Sequence, residues 1–276
     1  MVFVIGAVAI DVVAIRERFL DGTSNPSDIR LGLGGVGYRI FNNLECPRRF
    51  VTALGVDPIS RWAREGMEAD GDVSVQEVGG RDSGPPLYLA LMESGSLKVG
   101  ASDFRIVEQG LTEQFVARAV GEPGPRDFVV LDANLSVGLL SRMVQRFSAS
   151  TRVVVEPVSV EKARRHLDSL RGLYLITPTV EELEALGAVD VPVFMRERSI
   201  QAVLLTRGEA GCLLYHGGEV TELAPRTVVP ARDTTGAGDQ LLALVLSFLH
   251  AGQSLPDAVR AGMDGVEQRL RKESAS

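Results

Sequence analysis

Short apolar runs rich in β-branched residues, Val2–Val8, Phe128–Leu131, Val153–Val155, Leu173–Ile176 and Ala202–Leu205, are spaced by stretches with helical apolar periodicity at Val137–Phe147, Val160–Leu170 and Val180–Leu186. A strand that is apolar throughout, rather than alternating, is covered on both faces. Strands of that kind are joined in parallel by helices that cross over the sheet. The alternation predicts an α/β fold, a doubly wound and mostly parallel sheet flanked by helices. The 276 residues suffice for one large domain or two small ones. Residues 1–276 are read as a single domain.

Two regions interrupt the pattern. Ile15–Leu33 is polar and turn-rich, and Pro86–Ala101 holds two strand patterns, Leu87–Met92 and Leu97–Gly100, around the turn Glu93-Ser94-Gly95-Ser96. A glycine-containing turn between alternating strands reads as a hairpin. A small β-sheet lid contributed by about 12–33 and 85–102 is expected, standing over a site.

Charge and composition exclude several classes. A net charge of −7 argues against a broad nucleic-acid or anionic-membrane surface. The longest apolar run after the first strand, Leu241–Leu249, is far short of the about 20 residues a bilayer requires. Met1–Ile10 lacks the basic start and small-residue cleavage site of a signal peptide, and reads as a buried strand. Cys46 and Cys212 have no metal or redox spacing, and His166, His216 and His250 are far apart. A cytoplasmic protein with reduced thiols and no imidazole metal site is expected. An open edge of the lid sheet suggests pairing with a second copy, so a homodimer is expected.

The most specific motif is Asp233-Thr234-Thr235-Gly236-Ala237-Gly238-Asp239, directly before the apolar helix pattern Gln240–His250. Glycines where a helix begins let a ligand approach the backbone, and free N–H groups with the helix dipole form an anion site. Asp239 then falls in the first turn, facing the same anion, where a carboxylate can accept a proton from an attacking hydroxyl. Read without chemistry, the stretch is a helix start with capping aspartates.

These seven residues resemble the C-terminal signature of the ribokinase-like (PfkB) carbohydrate and nucleoside kinases. The resemblance implies an ATP-dependent phosphotransferase with Mg²⁺, and K⁺ as a further cation. Asp239 would be its catalytic base, Gly236, Ala237 and Gly238 its anion hole, and Asp233 and Thr235 its monovalent-cation position. Thr206-Arg207-Gly208-Glu209-Ala210-Gly211 resembles the family's nucleotide loop, with Thr206, Gly208 and Gly211 as ATP contacts. Thr177-Pro178-Thr179-Val180-Glu181-Glu182 resembles its Mg²⁺-ordering segment, with Glu182 toward the ion and Thr179, toward the nucleotide, where relatives carry asparagine. Thr179 and Glu182 also have the spacing of a capping box. Gly34 and Gly35 resemble the glycine pair that faces the sugar.

The middle of the chain looks like the pseudouridine kinases of that superfamily: Ser83-Gly-Pro-Pro-Leu-Tyr88-Leu, Asp132-Ala-Asn134-Leu and Glu156-Pro-Val-Ser-Val-Glu-Lys162. The implied acceptor residues are Asp11, Gly34, Gly35, Arg39, Tyr88, Asn134 and Lys162. Two further positions depart from the family pattern: Ala9 and Arg39 stand where relatives carry asparagine. Arg39 can meet an anionic substrate, pair with Asp11 and close the pocket, or lie on a helix surface. Three functions compete: a kinase acting on pseudouridine or another nucleoside or sugar, a non-catalytic ligand-binding protein of the same fold, and a dinucleotide oxidoreductase using Gly32-Leu-Gly-Gly-Val-Gly37, which fits G-x-G-x-x-G.

Overall fold

Val2–Ile5 (β1) runs through the centre of the molecule, each residue at most 6% exposed. The computed structural model of the chain describes residues 1–80, 84–227 and 236–274. Further strands are β2 (Ala9–Arg16), β3 (Asp28–Gly34), β4 (Arg48–Leu54), β5 (Val73–Glu77), β6 (Leu87–Glu93), β7 (Ser96–Asp103), β8 (Phe128–Asp132), β9 (Arg152–Glu156), β10 (Leu175–Ile176), β11 (Ala202–Thr206), β12 (Cys212–His216) and β13 (Glu219–Leu223). The helices are α1 (Val36–Asn43), α2 (Pro58–Asp70), α3 (Arg105–Gly110), α4 (Glu113–Val120), α5 (Val137–Phe147), α6 (Val160–His166), α7 (Val180–Ala185), α8 (Val191–Arg198), α9 (Ala237–His250) and α10 (Leu255–Ser274).

Among the described residues, nine strands form one sheet in the order β13-β12-β11-β10-β9-β8-β1-β4-β5, parallel except for the β11-β12-β13 meander. Successive residues of its strands face opposite cores, as a two-residue period requires. Phe3 and Ile5 pack with Leu139, Met143 and Phe147 of α5, whereas Val2 and Val4 pack with Phe41 of α1 and Leu242 and Leu246 of α9. The doubly covered sheet is the one the apolar runs predict. The four remaining strands form a second sheet, β3-β2-β6-β7. Its outer face exposes Ile29, Leu31, Leu89 and Val99.

Several boundaries differ from the sequence expectation. The run Val2–Val8 is not one strand. The chain turns at Gly6, where a Cβ would stand 2.3 Å from Asp132 Oδ2, and the next strand, β2, joins the other sheet. The stretch Ile15–Leu33 contains most of β3, paired along β2 from Ile15↔Asp28 to Ala9↔Gly34; its polarity reflects exposure rather than absence of structure. α6 stops at His166 and passes into the short 3₁₀ turn Leu167–Ser169. α9 starts at Ala237, not Gln240, which brings Asp239 into its first turn. The sequence Thr227–Val229 ahead of Asp233–Asp239 also has a strand pattern, but positions 228–229 lie outside the described residues. Gly32 and Gly34 belong to β3 and pair antiparallel with β2. Gly32–Gly37 is thus not the tight turn between a parallel strand and its helix that a dinucleotide fingerprint needs. Among the described residues no helix is long and apolar enough to cross a membrane.

Candidate active site

Parallel sheets bind ligands beyond the carboxyl ends of their strands. Here two of those ends are carboxylates, Asp132 on β8 and Glu156 on β9. Asp132 is fully buried, and its oxygens accept N–H bonds from Ala7 (2.8 Å), Gly37 (3.1 Å) and Asn134 (3.0 Å). Its burial raises the carboxyl pKa, and these donors partly offset that.

Beside it, α1 begins against the turn between the two sheets. A Cβ on Gly35 (φ 87°) would stand 2.7 Å from Ala9 N and 2.8 Å from Ala7 O, and one on Gly34 would stand 2.0 Å from Asp11 Oδ2. Gly35 thus serves the backbone behind it, while Gly34 makes room for the Asp11 carboxylate. Tyr88 is the direct cross-strand neighbour of Asp11. One turn into α1, Arg39 Nη2 donates to Asp11 Oδ2 at 2.8 Å. Burial pushes Asp11 up, with Arg39 opposing it.

The start of α9 closes this corner. Gly236 takes the left-handed conformation (φ 78°) that glycine tolerates. Asp239 is 9% exposed. Burial raises its pKa to about 6; the Arg39 charge pulls it down, Asp132 and Glu182 push it up, and Arg269 pulls it down. Arg39 Cδ and Asp239 Oδ2 lie 3.3 and 3.7 Å from where a Gly236 Cβ would be. A carboxylate that titrates near neutrality beside a helix N-terminus can take a proton from a hydroxyl while the helix faces an anion.

Among the described residues two cavities meet at the start of α9, and Asp239 lines the first of them. The first, about 170 Å³, is lined by Glu156, Thr177, Thr179, Glu182, Thr206, Gly236, Gly238 and Asp239. The second, about 400 Å³, shares Thr179, Thr206 and Gly238 and continues past Gly208 and Gly211 to Met263, Val266 and Leu270 of α10. Small polar groups at one end and apolar walls at the other suit a phosphate-bearing molecule with a planar base. Thr179 and Glu182 form the capping box of α7: Thr179 N donates to Glu182 Oε2 at 2.9 Å, and Glu182 N to Thr179 Oγ1 at 3.3 Å. Thr177 Oγ1 hydrogen-bonds Glu156. Burial, then the charges of Asp239 and Glu182, hold the Glu156 carboxyl well above the usual range. Val158, also at this wall, has φ 70°, an outlier for a β-branched residue and a strain concentrated at functional sites.

The structure brings together Asp11, Gly34, Gly35, Arg39, Tyr88, Gly236 and Asp239 on one side, and Thr179, Glu182, Thr206, Gly208, Gly211, Ala237 and Gly238 on the other. Asn134 and Lys162 bond each other near Asp132, with Lys162 Nζ 4.8 Å from the Phe104 ring centre. They line neither cavity. Asp233 and Thr235 lie outside the described residues. Glu156 and Asp132 were not singled out from sequence as site residues, although each is a carboxylate ending an apolar strand run, a signal that marks the ligand end of a parallel sheet.

Comparison with known proteins agrees with this layout. Residues 1–264 match the pfkB family carbohydrate kinase model. The chain is 27% identical to a guanosine-inosine kinase of Exiguobacterium acetylicum, covering 94% of this chain and 91% of the relative. It is 26% identical to the pseudouridine kinase of Escherichia coli K12, covering 94% and 87%. A ribokinase of Arabidopsis thaliana, solved with ribose and ATP, shares the fold with a TM-score of 0.76 at 19% identity, over 98% of this chain and 92% of that one. With a family match that spans both sheets and the start of α9, the chain belongs to the pfkB family of carbohydrate kinases and is a kinase that transfers phosphate to a hydroxyl group of a sugar or nucleoside.

Proposed function

We propose that the acceptor is the ribosyl hydroxymethyl group of a nucleoside, pseudouridine first, giving pseudouridine 5′-phosphate and ADP. The reading is carried by Asp239, a carboxylate poised near pH 6 at the first turn of α9, beside the Asp11 corner and lining the smaller cavity, which meets the larger one at Thr179, Thr206 and Gly238. The acceptor oxygen attacks the γ-phosphorus as its proton passes to Asp239, and the bond to the β–γ bridging oxygen breaks with its electron pair left on ADP. Gly236, Ala237 and Gly238 present backbone N–H groups to the transferring charge. Asp11, Gly34, Gly35, Arg39 and Tyr88 form the acceptor corner, with Asn134 and Lys162 behind it. Thr179, Thr206, Gly208 and Gly211 border the nucleotide.

The residues fit Mg²⁺. Glu156, Glu182 and Asp239 present hard oxygen ligands to one cavity, and their mutual repulsion is what a dication relieves. Among the described residues no three such groups converge into a cage; Mg²⁺ usually keeps several waters and takes one or two carboxylates plus substrate phosphates. Glu156 and Glu182 would hold it, and bound there it neutralises phosphate charge. Asp233 and Thr235 remain the K⁺ position by resemblance. The exposed apolar face of Ile29, Leu31, Leu89 and Val99 supports a homodimer through the lid sheet.

An ADP-release screen over pseudouridine, guanosine, inosine, other nucleosides and simple sugars, with Mg²⁺ and with or without K⁺, tests the reading. Turnover highest with pseudouridine is expected. Preference for a purine nucleoside or a free sugar would replace pseudouridine, and absence of turnover with all of them would remove the acceptor class.

A further inference from the structure

The position of Arg39 runs against helix electrostatics. Its stem packs on Gly236, with Cδ 3.3 Å and Nε 3.9 Å from where a Cβ on that glycine would be, so a guanidinium lies over the first turn of α9. Helix N-termini carry partial positive charge from their unpaired N–H groups, and a cation placed there is repelled. Asp11 engages only Nη2, and this is the one hydrogen bond of the guanidinium among the described residues. A guanidinium has five donors. A donor-rich cation and the positive end of a fourteen-residue helix therefore converge on the space between Asp11 and Asp239.

We infer that Arg39 is a catalytic residue that donates hydrogen bonds to the transferring phosphoryl group. The inference rests on the kinase reading of this site and adds a group to it. As the new bond from acceptor oxygen to phosphorus forms and the bond to the bridging oxygen breaks, charge spreads over the three equatorial oxygens. The α9 N–H groups meet that charge from one side and the guanidinium from another, with Asp11 fixing the guanidinium so that it need not reorganise. Asp239 has Arg39 facing it from α1, Asp132 from β8, Glu156 from β9, Glu182 from α7 and Arg269 from α10. Arg39 is the foremost charge keeping it ionised.

Arg39→Lys, Arg39→Gln and Arg39→Ala are compared with the wild type in two measurements. The first needs no turnover: affinity for ADP alone against ADP with aluminium fluoride, a mimic of the phosphoryl group in flight, both with Mg²⁺. The wild type is expected to gain at least about tenfold from the fluoride, and Arg39→Gln to keep its ADP affinity, which also shows that it folds, while losing that gain. In the second, with the acceptor that the screen identifies, Arg39→Gln lowers kcat by about 10²–10³-fold, a larger effect than any rise in acceptor KM from the corner it shares with Asp11. Its acid limb moves to higher pH, and added guanidine restores part of the Arg39→Ala rate. A gain from aluminium fluoride as large in Arg39→Gln as in the wild type, a wild type that binds ADP with no such gain, or a loss confined to acceptor KM overturns the inference and leaves the kinase reading standing. A wild type that binds neither ATP nor ADP overturns both.

Discussion

Asp239, the proposed base, would tie stability to activity in one side chain. Its pKa is raised in the folded protein, so the fold binds a proton there more tightly than the unfolded chain does. The stabilisation from that proton is fully present below the unfolded value near 4 and is lost as pH rises through about 6. At pH 7.5 the ionised group therefore costs the fold on the order of 2–3 kcal/mol. Asp239→Asn is expected to raise the melting temperature at pH 7.5, with the difference shrinking toward pH 4, while ADP release with acceptor falls by about 10²–10⁴-fold. Calorimetry across pH and a coupled ADP assay check the two halves. A lower melting temperature at pH 7.5 would contradict the assigned burial. In the wild type the same titration places the acid limb of kcat/KM near pH 6. Asp239 was legible in the sequence because glycines before a helix are a local, directional signal. The contact between Arg39 and Asp11 was one of several readings of a lone arginine, because 28 residues separate the partners and only the α1–β2 packing joins them.

Among the elements, the β11–β12 connection makes the nucleotide side depend on a single glycine. Gly211 has φ 83°, and a Cβ there would stand 2.1 Å from Leu223 O, a backbone atom of β13 that cannot rotate away. Gly211→Ala is expected to destabilise the protein by more than about 2 kcal/mol in urea unfolding, because left-handed strain and a backbone clash add. It should also weaken ATP binding more than acceptor binding, since the cavity wall at Gly208 and Gly211 shifts with the hairpin. Unchanged ATP affinity would separate the loop from the cavity. The strands of the main sheet were readable because continuous apolar runs mean burial on both faces. β3 was legible only as part of the lid region 12–33, not as a strand of its own, although Ile29, Leu31 and Leu33 alternate with Asp28, Arg30 and Gly32; its residues 28–31 are all exposed, so the polar, turn-rich surroundings dominate the pattern. The capping box at Thr179–Glu182 formed as its spacing implied, and it now shares Glu182 with the cavity.

For the whole molecule, the two cavities together are lined from α7, α9, α10 and the β11–β12 turn, so a nucleotide bound as proposed would touch elements from both covering layers and the sheet between them. Saturation at about 100 times Kd stabilises a fold by about 2.7 kcal/mol. For a chain of this size that corresponds to a melting shift of roughly 5–10 °C. ADP with Mg²⁺ is expected to give such a shift and NAD none; the reverse would revive the dinucleotide reading that the placement of Gly32 and Gly34 in β3 disfavours. The global fold was the most legible level, since it follows from the period and order of apolar segments. The acceptor was the least legible, since it depends on which side chains from β2, α1, β6 and β8 arrive at one corner.

Asp132 has a consequence for how this chain can change over generations. Its carboxylate ties Ala7 and Gly37 together, and fills the space where a side chain on Gly6 or Gly37 would go, 2.3 and 2.8 Å away. At Gly6 the acid alone fills the space; at Gly37 the Ala7 backbone stands close behind it, 3.1 and 3.2 Å from where a Cβ would be. Gly6→Ala alone is expected to express poorly, and a second change, Asp132→Ala, to restore soluble yield without restoring turnover. A change at Gly6 therefore depends on a change at Asp132, so descendants of the sequence should keep Gly6 and Asp132 together or lose them together, while Gly37 is held by its own backbone neighbours as well.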